Sequence, residues 1–139
     1  MTDKCFIDTN IWIYAHLKQS INQKHSLALN LIENLQYLII STQVLNEYYS
    51  VMLKKKIPDS IIQDNIEVII DIAEIYLVEV NTIRLAHRLK LKYGFSYWDS
   101  LILASALNAN CQIIYTEDLQ HKQVIENRLK VLNPFIDFC

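Results

Sequence analysis

The chain has 139 residues, 52% of them apolar, and a mean hydropathy of +0.13, which supplies enough apolar surface for one buried core and argues against disorder. With one glycine and two prolines, it cannot carry a dinucleotide fingerprint, a phosphate-cradling glycine loop or a nucleophile elbow, and a turn-rich barrel or sandwich is disfavoured. A formal charge of −2 and a pI near 6.0 leave no global basic field to draw nucleic acid or acidic lipid, so any anionic partner must be met locally.

In chain order, Cys5-Phe6-Ile7 reads as a short strand ended by Asp8-Thr9-Asn10, polar residues suited to start a helix that carries Ile11, Trp12, Ile13, Tyr14 and Leu17. His25 to Leu35 has helical spacing, and Tyr37 to Ile40 is a second apolar run. Ser41 or Thr42 can cap a third helix with the stripe Val44, Leu45, Tyr48, Tyr49 and Met52, ending in Lys54-Lys55-Lys56. Pro58 restarts the chain. Asp59 to Ile72 reads as a helix, Ile75 to Val80 as a strand, Thr82 to Lys92 as a helix stopped by Gly94, and Tyr97 to Ala109 as another helix. Gln112 to Tyr115 is the last clear strand, and Lys130 to Leu132 a weaker one before Asn133-Pro134.

Strands separated by helices imply right-handed crossovers. The expected class is α/β, a small, mostly parallel sheet of four to five strands flanked by helices on both faces. No linker or repeat divides residues 1–139, which read as one domain. Cys5, Cys111 and Cys139 are widely spaced with no C-x-x-C pair, and no apolar run approaches the ~18 residues of a membrane span. The expectation is a cytoplasmic protein with reduced thiols and no membrane segment.

Parallel sheets bind ligands beyond the carboxyl ends of their strands, and two strands here run into acids, Asp8 and Glu117-Asp118. Taken singly, each has a plain structural explanation. Asp8 suits a helix start, and Asp118 a polar loop. Ser96-Tyr97-Trp98-Asp99 has the spacing of a capping box, so Asp99 could close its helix. Yet that helix is apolar nearly all round, from Trp98 through Leu107, and a carboxylate on a buried helix is costly unless paired or bound to a cation. Glu47 sits at the border of the third helix's apolar stripe, where periodicity alone reads a solvated side chain.

Together these segments resemble a family. Phe6-Ile7-Asp8-Thr9-Asn10, Asn46-Glu47, Ser96-Tyr97-Trp98-Asp99-Ser100 and Tyr115-Thr116-Glu117-Asp118-Leu119-Gln120-His121, in this order, are similar to the PIN-domain nucleases and, more narrowly, to the VapC-type toxins of bacterial toxin–antitoxin pairs. The resemblance covers residues 4 to 135. It implies an endoribonuclease dependent on Mg²⁺ or Mn²⁺, with Asp8, Glu47, Asp99 and Asp118 as its acidic cluster. Of these Asp8, Asp99 and Asp118 would hold the metal, with Thr116 and Asn10 supporting them. It further implies an RNA substrate, an antitoxin partner whose arginine-bearing segment blocks the site, and a symmetric homodimer through the helices Gln43 to Met52 and Asp59 to Ile72. Lys122 departs from the family pattern, which often has glycine there.

An oxygen-only cluster suits the chemistry, because phosphodiester hydrolysis needs charge stabilisation by a hard cation and nitrogen or sulfur ligands are unnecessary. Like charges gathered without a cation should raise at least one carboxyl pKa. Lys54, Arg84 and Arg88 are candidates for contacting RNA phosphates, and Tyr48, Tyr49, Tyr93 and Tyr97 for stacking on bases, although helix faces and core positions explain most of them. His121 reads as structural. Two other classes compete. A receiver-like signalling domain would need adjacent acids after the first strand, and a catalytically silent interaction domain would keep the acids for structure alone.

Overall fold

Cys5, Phe6 and Ile7, at most 2% exposed, form the core of strand β1 (Lys4–Ile7), which lies inside a six-stranded sheet of order β3-β2-β1-β4-β6-β5. The computed structural model describes residues 3–18 and 23–136. Parallel neighbours β2 (Tyr37–Ser41) and β4 (Ile113–Tyr115) occupy both edges of β1, and the crossover helices cover the faces of the sheet, so the β1 sequence is continuously apolar. β3 (Glu74–Tyr76) extends the parallel sheet beyond β2, and β6 (Leu129–Leu132) beyond β4. Helices α1 (Thr9–His16), α2 (Lys24–Asn34), α3 (Thr42–Lys54), α4 (Asp59–Ile72), α5 (Val80–Tyr93) and α6 (Tyr97–Asn108) surround it. Helix α6 is buried without interruption from Ser100 to Leu107. Among the described residues no helix is long and apolar enough to cross a membrane.

The α/β class stands, with two corrections. The sheet has six strands, not four or five. The additional one is β5 (Val124–Ile125), antiparallel to β6 through a two-residue turn in which Glu126 (φ 51°) and Asn127 (φ 57°) are both left-handed and Arg128 N–H donates to Ile125 O at 3.1 Å. Such turns usually announce themselves by glycine, and this one has none. β3 stops at Tyr76 rather than Val80, because Glu79 and Thr82 exchange hydrogen bonds as a capping box and draw Val80 into α5.

Gly94, φ 77°, ends α5 as expected. Lys122 has φ 72°, so the backbone there takes the conformation that glycine would suit, with a lysine in it. Cys5 and Cys111 are free and buried; Cys139 and the end of the tail lie outside the described residues.

Candidate active site

Ile7 pairs with Tyr115 across β1 and β4, and the Asp8 N–H donates to Tyr115 O at 3.0 Å, one bond past the strand end. The chain then turns into α1 with Asp8 as its N-cap. Oδ1 of Asp8 accepts from the Thr9 N–H at 2.7 Å, while Oδ2 accepts from the Thr116 hydroxyl at 2.8 Å. The helix-start role and a site role therefore coexist on one carboxyl group. Burial pushes its pKa up to about 7 against those two donors, and the charges of Glu47 and Asp118 act in the same direction.

Thr116 is fully buried and also accepts from the Asp118 N–H at 3.1 Å. Asn10 closes the group, its Nδ2 donating to Asp118 Oδ2 at 2.9 Å and to Thr116 Oγ1 at 3.4 Å. From α3, Glu47 reaches the same place half-buried, Oε1 accepting from the Thr9 hydroxyl at 2.8 Å and Oε2 from Gln43 Nε2 at 3.0 Å. It is not the solvated side chain that periodicity suggests, because Thr9 lies across from it on α1. Asp99 comes from the first turn of α6. The Ser96 hydroxyl caps that helix by accepting from the Asp99 N–H at 3.1 Å, and the half-buried Asp99 side chain faces the cavity. Burial raises its pKa, the charges of Asp118 and Glu47 add to this, and the Ser96 hydroxyl opposes it.

The four acids line one cavity of about 1010 Å³. As the side chains stand, no group of three carboxylate, imidazole or thiol side chains among the described residues could hold one ion directly. Two buried amide oxygens, Asn10 Oδ1 and Gln43 Oε1, have no hydrogen-bond partner. Periodicity does not point to Gln43, although it stands one helical turn before Glu47, nor to Thr9 as a donor to Glu47.

Of the basic candidates, Lys54 lines the cavity, as does Lys55. Arg84 and Arg88 lie exposed on α5 outside the lining, Arg84 donating to Asn81 Oδ1 at 3.0 Å. Of the four tyrosines considered for stacking, Tyr97 packs against cavity-lining Trp98 and the other three are engaged elsewhere. Tyr48 is buried between His16 and Asn65, Tyr49 donates to Asp59, and Tyr93 accepts the Glu126 N–H. Trp98, expected inside a buried helix, is instead 61% exposed and lines the cavity. His121 Nδ1 accepts from the Asn133 N–H at 2.9 Å, tying the loop after β4 to the end of β6.

The PIN domain family profile matches residues 5–127. The VapC20 toxin of Mycobacterium tuberculosis, described as cleaving the sarcin-ricin loop, is 16% identical with a TM-score of 0.68 over 83% of this chain and 92% of its own. A toxin–antitoxin complex from Klebsiella pneumoniae gives 19% and 0.71 over 95% and 98%. VapBC2 of Rickettsia felis, bound to a DNA fragment from its promoter, gives 20% and 0.66 over 93% and 98%. At these identities the likeness shows the shared fold. No curated protein matches the chain.

Proposed function

The chain belongs to the PIN-domain family, and from that premise we propose that it is an endoribonuclease dependent on Mg²⁺ or Mn²⁺ and the toxin of a toxin–antitoxin pair. The observation that carries this reading is the gathering of Asp8, Glu47, Asp99 and Asp118 around one cavity, with Asp8 raised to about 7. Carboxylates held together at such cost serve a cation.

The donor set fits a hard divalent ion. All the groups are oxygens, two further amide oxygens are buried without partners, and Mg²⁺ keeps several waters, so one or two direct carboxylates suffice. Asp8, Asp99 and Asp118 would hold it, with Glu47 beside them on the cavity wall. When bound, the ion supplies positive charge against the phosphoryl oxygens and makes water more acidic. The chain's own residues do the positioning. Thr116 and the Thr9 amide fix both oxygens of Asp8, and Thr9 and Gln43 fix both oxygens of Glu47, so that its carboxylate can take a proton from the attacking water. Water adds to phosphorus and the 3′ oxygen leaves, giving a 5′ phosphate and a 3′ hydroxyl without a covalent intermediate.

The antitoxin is supported by the toxin–antitoxin complexes among the structural neighbours, and an acidic cavity is a natural dock for an arginine. Self-pairing uses α3 and α4, where Leu53, Ile61, Val68 and Ile72 are 47 to 52% exposed. Arg84 and Arg88 contact RNA only if the strand extends beyond the cavity.

Incubating the purified protein with total RNA and Mg²⁺ and mapping new 5′ phosphate ends tests the reading. Cleavage should disappear with a chelator and fall at least about a thousandfold in Asp8→Asn and Asp99→Asn proteins that keep their fold. Wild-type rates in either folded variant would sink it.

A further inference from the structure

Trp98 is far more open than the body of its helix. The helix is buried from Ser100 to Leu107, whereas this side chain is 61% exposed beside Asp99. Its backbone is pinned, because Gln43 Nε2 donates to Trp98 O at 3.2 Å while also holding Glu47. Its ring meets Tyr97 at 5.2 Å and 70°, edge to face rather than stacked, and Tyr97 packs in turn on His87 at 5.9 Å. An indole held beside a proposed reaction centre presents a flat apolar surface to the cavity, whose wall there includes Leu101 and Ile102.

The charges in the same cavity favour a nucleic-acid occupant. Gln43, Glu47, Ser50 and Lys54 share one face of α3 at spacings of four, three and four residues. Glu47 and the exposed pair Lys54-Lys55 are about 10 Å apart along the axis at roughly 1.5 Å per residue. The cavity therefore offers carboxylates that repel a phosphate until a cation is bound, lysines that attract one, and an aromatic surface suited to a base.

Resting on the nuclease reading above, we infer that Trp98 is a stacking platform for a base of single-stranded RNA adjoining the scissile phosphate, with Lys54 and Lys55 receiving the backbone that leaves the site. Stacking on a single aromatic tolerates any base, so Trp98 positions the strand and favours unpaired RNA over duplex.

The chain has two tryptophans, and Trp12 is fully buried with its Nε1 donating to Ile7 O, so a ligand-dependent change in fluorescence reports on Trp98. A Glu47→Gln chain, which lacks the proton acceptor but keeps Asp8, Asp99 and Asp118 for the cation, is titrated in Mg²⁺ with a short single-stranded RNA and with the same sugar-phosphate chain lacking its bases. Saturable quenching by the RNA, absent with the abasic chain and absent in a second variant also carrying Trp98→Phe, is the expected result. In the otherwise native chain, Trp98→Ala should lower kcat/KM for RNA roughly ten- to hundredfold and Trp98→Phe no more than about threefold, both melting near the wild-type temperature. Equal quenching by the abasic chain, no quenching by RNA, or equal losses in the alanine and phenylalanine variants would overturn the inference. So would wild-type cleavage by Trp98→Ala, and if that variant also escapes a protein inhibitor, the indole belongs to a protein contact. Quenching without cleavage by the native chain refutes the nuclease reading and leaves the stacking site standing. Cleavage insensitive to Trp98 does the reverse.

Discussion

On the strand side of the cavity, Asp8 is 5% exposed and both its oxygens accept hydrogen bonds, from a backbone amide and from Thr116, which in turn touches Asp118 and Asn10. On the helix side, Asp99 stands half-buried and its neighbour Trp98 is open to solvent. The first wall is set before anything binds; the second meets whatever arrives. A pre-set carboxylate fixes where a cation sits, and a more accessible one can adjust as substrate enters. On the proposed reading, this division would let carboxylates whose present spacing suits no directly shared ion serve one through water.

The largest effect separating the walls is in pH. Because burial raises the folded pKa of Asp8 to about 7 from the ordinary 3.8, its contribution to stability is whole below about pH 4 and is lost as pH rises through 7. Three units correspond to at most about 4 kcal/mol. Denaturant unfolding in a chelator should show the metal-free chain less stable at pH 8 than at pH 5, a slope that Asp8→Asn removes. Asp99→Asn should flatten it less, since Asp99 is shifted in the same direction but only half-buried. Saturating Mg²⁺ should also flatten the slope and raise the melting temperature at pH 8.

Next, Thr116→Val, which keeps the shape but removes a donor to Asp8 and the acceptor of the Asp118 amide, should cost about 2 kcal/mol and at least tenfold in cleavage rate. Ser96→Ala on the helix wall loses a cap and should cost about 1 kcal/mol with a smaller effect on rate. If the two variants lose activity equally, the walls are not functionally different. The smallest effect lies away from both, at Lys122. Replacing it with glycine should relieve its left-handed backbone and raise stability by about 0.5 to 1 kcal/mol in the same assay.

Runs such as Phe6-Ile7 and Ile39-Ile40 were legible as strands because a sheet buried on both faces demands uninterrupted apolar residues. The acids were legible as positions at strand ends and at a helix start. Their surroundings were not, since Thr9 meets Glu47 across 38 residues and Asn10 meets Asp118 across 108, and spacing along one element carries no information about such partners. Trp98 misled for a related reason. A hydrophobic side chain in the first turn of a buried helix continues the helix's pattern, but the helix end emerges at the cavity. The β5–β6 turn was invisible because Glu126 and Asn127 took the left-handed positions usually marked by glycine.

The sheet's borders are β5, with two residues, and β3, with three. A border so brief offers an incoming strand only a rung or two of backbone pairing, too little to template growth from one molecule to the next. Copies of this chain are thereby steered away from edge-to-edge polymerisation, and association falls to side-chain surfaces, where a closed assembly of defined size can form.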